Sequence, residues 1–295
     1  MKEIKKERNV YKRSQLYEIW LRMRKNKQAM FGLGLFICIL LIAIFADVLV
    51  DYNTDVIRQD IANRLQPPNA AHWLGTDQYG RDVLARLIYG ARISLTIGVI
   101  TVFASLVIGG LIGAIAGFYG GKLDNVLMRI MDIFLSLPSI LLAIAVIAAL
   151  GTGIVNIMVA VAISCVPRYA RIIRSSILSI RDKEFIEAAR AMGTWDGRII
   201  LKNIIPNAIG PVIVQATLGV GEIIISAAGL SFLGLGISSP TASWGSMVSE
   251  GRLFLLQNPV FALTPGVCVA VLVICLNMFG DGVRDALDPR LRGEV

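Results

Sequence analysis

Six apolar runs, at residues 29–50, 93–118, 126–150, 154–173, 208–235 and 260–279, constrain this chain more than any other feature. Each comes close to or exceeds the roughly 20 residues that a helix needs to cross the hydrocarbon core of a bilayer. Only backbone that is hydrogen-bonded within its own segment is tolerated there. With 55% of its 295 residues hydrophobic and 17% charged, and a mean hydropathy of +0.68, the chain has too little polar surface for a soluble domain of this size. The pattern predicts an all-α membrane protein with six transmembrane helices.

Charge sets the orientation. The net charge of +8 is not spread over a phosphate-reading face, so no nucleic-acid partner is expected. Basic residues crowd instead into residues 1–28 and the stretch from Arg168 to Lys202. The positive-inside rule then places both termini in the cytoplasm, together with the loops after the second and fourth spans. Residues 1–28 read as a basic cytoplasmic tail, with Leu16, Ile19, Trp20 and Met23 forming the stripe of an interfacial helix. The run at 29–50 is a first span rather than a signal peptide, because it is long and no small-x-small site comes after it. Residues 51–91 form an extracytoplasmic loop with an amphipathic helix. Residues 92–283 hold the other five spans and a charged loop at 174–206, and 284–295 form a cytoplasmic tail.

The charged loop carries its own helical signal. Phe185, Ala188, Ala189 and Met192 recur at i, i+3, i+4 and i+7, with Lys183, Glu184, Glu187 and Arg190 around the rest. Gly193 stands where a left-handed residue ends a helix, Thr194 can cap a second one, and Pro206 stops that one before the fifth span. The expected product is a compact helix-turn-helix outside the bilayer, with an apolar face that must be covered.

Other positions carry weaker signals. Val83, Leu84, Leu87, Ile88 and Ala91 fit a helix lying on the outer membrane surface, either as a structural elbow or as a docking surface. Gly109, Gly113 and Gly117 repeat every fourth position, a spacing that lets another helix approach closely. Arg129 and Asp132 read as a mutual pair near the inner end of the third span, which contains Pro138. Arg168, Arg171 and Arg174 can snorkel to the cytoplasmic surface. Glu222 is the one acid deep in a span; it is buried neutral, hydrogen-bonded to Gln215, or lines a pathway with Gln215. All four cysteines lie in apolar runs, which favours free thiols.

Chemistry is sparse. Gly121-Lys122 is followed by Leu123, and Ala116 stands where the first glycine of a phosphate-binding loop belongs, so no ATP site of that type is expected. His72 is the only histidine, which leaves Ser231 without an activating base and argues against a metal site. A membrane-embedded enzyme is therefore the remote alternative.

Glu187-Ala188-Ala189, Gly193, Ile205 and Pro206 resemble the EAA signature of the permease subunits of ABC importers. The segment from His72 to Arg92, and Leu230 to Gly236 continuing to Trp244-Gly245, resemble the dipeptide, oligopeptide and nickel branch of binding-protein-dependent transport. The resemblance covers most of the chain from His72 onward. Asn203 departs from it where that branch often has His, and Ser238-Ser239-Pro240 has fewer prolines than usual. The resemblance implies a type I importer-like permease, the C-type member of its pair, with cytoplasmic coupling helices and a place in a prokaryotic cell membrane. It implies as partners a second homologous permease, two ABC ATPases that bind the ATP and Mg, and an extracytoplasmic substrate-binding protein. ATPase coupling would fall on Phe185, Glu187, Ala188, Ala189, Met192, Gly193 and Pro206, and the cargo would be peptides, or alternatively nickel or another small solute. A channel or ion-driven carrier is disfavoured, since neither needs an ATPase dock.

Overall fold

The computed structural model describes residues 15–237 and 239–287; most of the basic tail at 1–14 and the end of the cytoplasmic tail lie outside the described residues. Helices α1 (Gln15–Lys25) and α2 (Lys27–Ile44) meet at Asn26. Its side-chain oxygen accepts from the N–H groups of Gln28 and Ala29, satisfying two donors that the start of α2 leaves free. Met23 of the expected stripe is buried against α2 and the last helix, whereas Trp20 is exposed.

Short helical turns at Ala46–Leu49, Tyr52–Ile57 and Ile61–Asn63 lead to α3 (Val83–Tyr119). The sequence suggested a surface helix up to residue 91 and a separate span from 93. Instead α3 is one helix of 37 residues, about 55 Å long, and the 51–91 loop ends at Asp82. Asp82 caps it through the N–H of Ala85, at 2.8 Å. Gly90 does not break it, because Trp244 lies against that position and packs there.

Gly120 and Gly121, both with positive φ, turn the chain into α4 (Gly121–Leu135), and α5 (Ser139–Leu150) comes next. The expected third span at 126–150 is not one straight helix, since α4 and α5 meet at 88°. Pro138 excludes helical continuity, and the 12-residue α5, about 18 Å long, is too short to cross alone. α6 (Ile154–Leu178) runs parallel to α3. A Cβ added at Gly109, Gly113 or Gly117 would lie 2.5, 2.3 or 3.1 Å from the carbonyl oxygens of Val166, Ala170 and Arg174. At Gly109 and Gly113 the two backbones approach more closely than a side chain would allow, and at Gly117 one would be tight.

After α7 (Glu184–Ala191) come α8 (Ile205–Phe232), α9 (Trp244–Gly251) and α10 (Pro259–Leu287). α10 opens at Pro259, so Pro265 lies inside it rather than at its start. Five helical stretches are long and apolar enough to cross a membrane, six if the bent α4–α5 pair counts as one. Among the described residues there is no β-strand, only an isolated bridge between Thr76 and Asp82. Leu87, Leu95, Ile224, Trp244, Met247, Phe261 and Leu272 form one core cluster, and Ile97, Ile147, Ile157, Tyr169, Ile223 and Leu230 a second. The bundle thus has a long-loop end, with residues 51–82 and α9, and a short-helix end, with Gly120 and the segment from Ser179 to Ile204.

Candidate functional site

At the short-helix end, α7 is eight residues long and buries Ile186 and Ala189 against Ile177, Ile180, Ile199 and Ile204. The face expected from periodicity was Phe185, Ala188, Ala189 and Met192. Of these only Ala189 turns inward; the buried pair is Ile186 and Ala189, at a competing i, i+3 spacing. Phe185 is 42% exposed, Met192 77%, Trp195 67% and Leu201 64%. Ala188 and Glu187 are exposed beside them. The segment is therefore folded by one apolar side and presents a second. Arg190 lies over the Phe118 ring at 5.1 Å, and Arg181 donates to the Gly117 carbonyl at 3.0 Å. Both contacts tie the segment to the end of α3.

Gly193 has φ +74°, in the left-handed region, and its N–H donates to the Arg190 carbonyl at 2.9 Å. Thr194 does not cap the next turn. That turn, Asp196–Arg198, opens at Trp195 and passes through a π-helical turn, Ile199–Ile204, straight into α8. Pro206 accordingly does not stop a helix; it lies in the first turn of α8, where a missing N–H costs least. The Asn207 side-chain amide donates to the Asn203 carbonyl at 2.7 Å.

Along α6 the three arginines do not simply snorkel. Arg168 pairs with Glu222 of α8. Arg171 donates to Asp132 at 2.5 Å, and Arg174 grips both oxygens of Asp124 at 2.5 and 2.6 Å. Asp132 is thus paired across helices rather than with Arg129, and Glu222 with Arg168 rather than with Gln215. These partners are 39 to 54 residues apart in sequence, so no local spacing signals them.

The long-loop end holds a buried charge cluster that sequence reading did not single out. Asp77 accepts from Arg81 at 2.6 Å and from Arg86 at 2.8 Å, and all three side chains are fully buried. Glu250 of α9 accepts from Arg81 and Gln78, each at 3.1 Å, with Arg86 at 3.3 Å. Burial pushes the Glu250 carboxyl up, against the pull of Arg81. Two guanidinium groups thus meet two carboxylates. The i, i+4 spacing of Asp77 and Arg81 was the only legible hint. Gly80 makes the turn possible: its φ is +76° and a Cβ would fall 1.7 Å from the Asp60 oxygen.

A bundle of membrane-length helices, with a buried charge cluster at one end and a charged segment that exposes apolar side chains at the other, is the architecture of a multi-pass membrane protein, and the relatives show that it is a transport permease. Residues 109–293 match the binding-protein-dependent transport system inner membrane component family. Residues 14–68 match the N-terminal transmembrane domain of oligopeptide transport permease C. The chain is 46% identical over 275 residues to the dipeptide transport system permease protein DppC of Alkalihalophilus pseudofirmus, covering 93% of this chain and 90% of that protein. It is 42% identical over 281 residues to the glutathione transport system permease protein GsiD of Escherichia coli, covering 95% and 92%. A chain of the MetNI methionine ABC transporter, in inward-facing conformations, superimposes with a TM-score of 0.57 at 24% identity, over 69% of this chain and 96% of that one. That last likeness is one of fold.

The chain belongs to the binding-protein-dependent transport system inner membrane component family. It is a multi-pass permease of the inner membrane and of the peptide branch of ABC importers, not an enzyme, and its family implies an ATPase partner and another permease.

Proposed function

We propose that this chain forms, with a second related permease, the path by which peptides delivered by an extracytoplasmic binding protein cross the membrane. Two ATPase subunits hold the ATP and Mg, and both termini of this chain are cytoplasmic. The observation that carries the reading is the segment from Glu184 to Ile204. It is packed through Ile186 and Ala189, yet leaves Phe185, Met192, Trp195 and Leu201 in the open. Exposed large apolar groups on a well-packed segment mark a protein interface. The Lys and Arg residues of the loop that holds it, Arg181, Lys183, Arg190, Arg198 and Lys202, support a cytoplasmic position for it. Peptide cargo is supported by the two relatives, one named for dipeptides and the other for glutathione.

Ala189 faces inward, so docking is tested at its exposed neighbour Ala188. In proteoliposomes holding the assembled transporter, wild type should take up dipeptide when ATP is supplied and ion gradients are collapsed. Ala188→Arg should abolish uptake or shed the ATPases while the permease pair remains assembled. Normal uptake with Ala188→Arg would remove this segment from the coupling site.

A further inference from the structure

Arg168 lies about 21 Å along α6 from Ile154 and about 15 Å from Leu178. Glu222 is similarly far from both ends of α8, so the pair lies at membrane depth. Yet their side chains remain 49% and 52% exposed. Charges left that open are not tolerated against hydrocarbon; they face protein or a water-filled space. Beside them is a notch of about 50 Å³ lined by Ser139, Ser164, Cys165 and Ser226 together with apolar groups that include Ile140 and Leu230. The N-terminus of α5 opens at Ser139 without a side-chain cap, since Pro138 has none to give. Arg168 and that helix end make one side of the notch electropositive. Glu222, four residues before Ser226, makes the other side electronegative.

We infer that Arg168 and Glu222 form a zwitterion-reading constriction of the pathway, where Arg168 takes the carboxylate of a passing peptide and Glu222 its ammonium group. The inference rests on the peptide reading above. The notch admits water but not a dipeptide, so the structure holds the constriction closed, with the two side chains serving as each other's ligand. Passage exchanges one ion pair for two: the side chains part, and each is satisfied by the opposite end of the cargo. At membrane depth a charge left without its partner is unfavourable even in a narrow wet space, and a peptide lacking one charged end leaves one of the two unpaired. The arrangement therefore selects peptides with both ends free.

Cys165 lines the same notch and reports on it directly. The assembled transporter, with its binding protein and with Cys38→Ala, Cys268→Ala and Cys275→Ala, is treated during turnover with a charged, membrane-impermeant methanethiosulfonate. Cys165 should be modified, and saturating dialanine should slow that modification at least threefold. N-acetyl-dialanine and dialanine amide should protect less. Arg168→Gln and Glu222→Gln should leave Cys165 reactive but lose the protection, whereas Arg168→Lys keeps part of it. An unreactive Cys165 would overturn the inference, because the face would then not be wet. Equal protection in wild type and both glutamine variants would overturn it too. Loss of the second permease from either variant would recast the pair as an assembly contact. A transporter with a reactive Cys165 that moves no peptide would overturn the functional reading, and the assigned ligand with it, while leaving the water-lined pair standing.

Discussion

The two ends of the bundle solve opposite problems. At the long-loop end, four charges are withdrawn from water and matched one for one, with Asp77, Arg81 and Arg86 fully buried and Glu250 nearly so. At the short-helix end, Met192, Trp195 and Leu201 are left in the open while the charged side chains around them are solvated. The cluster at the first end is balanced in charge within this chain, although Arg86 Nε and Gln78 Oε1 are buried there without a hydrogen-bond partner. Both ends expose large apolar groups, Trp73, Leu253 and Leu256 at the first and Met192, Trp195 and Leu201 at the second, but the second carries them on a short segment held mainly by Ile186 and Ala189, which gains most from a partner that docks on it. Damage at the first should therefore appear as instability, and damage at the second as lost coupling in a stable protein.

Four variants can break or sharpen that contrast. Asp77→Ala leaves two buried guanidinium groups with one carboxylate, and should cost about 3–5 kcal/mol. Thermal unfolding in detergent should show a large drop, and a drop of under a degree would mean that the cluster is hydrated. Gly113→Val lies between the ends and drives a side chain into the Ala170 carbonyl; overpacking of this kind costs about 1–3 kcal/mol. It should loosen α3 from α6, read as accelerated thiol labelling of Cys165. Gly193→Val meets nothing within 4 Å, so its cost is backbone strain alone, about 1–2 kcal/mol. Its unfolding temperature should fall slightly and its ATP-driven uptake much further. Trp195→Ala with Met192→Ala should change stability by no more than about 0.5 kcal/mol, yet lose ATPase co-purification. Should that double variant unfold early instead, the exposed residues would be part of the fold, and the contrast between the ends would fail.

Much of the architecture was legible because apolar period and length are local. The runs that became α2, α6, α8 and α10 were found with their starts within three residues, though their ends were missed by three to eight. Failures came where the deciding contact was remote or two local rules conflicted. Pro138 was visible, but the apolar content on either side of it hid an 88° break. The stretch up to residue 91 read as a surface helix separate from the span at 93, and nothing local showed that α3 runs through both; Trp244, more than 150 residues away, packs against Gly90 where the two meet. In α7 two apolar spacings competed, and burial of Ile186 came from Ile199 and Ile204 packing back against it. Pro206 obeyed its usual rule of beginning helices rather than ending them, once the π-helical turn had joined the segments around it. Arg168, Arg171 and Arg174 were seen, but which carboxylate each would meet is a property of helix packing.

The length of α3 has a mechanical consequence. A helical rod of about 55 Å in a slab of about 30 Å projects well beyond it, and α3 is gripped near both tips. Arg86 and Leu87 hold it to Asp77 and Trp244 at one tip, while Gly117 and Phe118 hold Arg181 and Arg190 at the other. Tilting such a rod by about 5° about one tip swings the other by about 5 Å, roughly one helical turn. Were a docked partner to push on α7, as proposed above, α3 would carry the displacement to the far face of the membrane as a lever stroke.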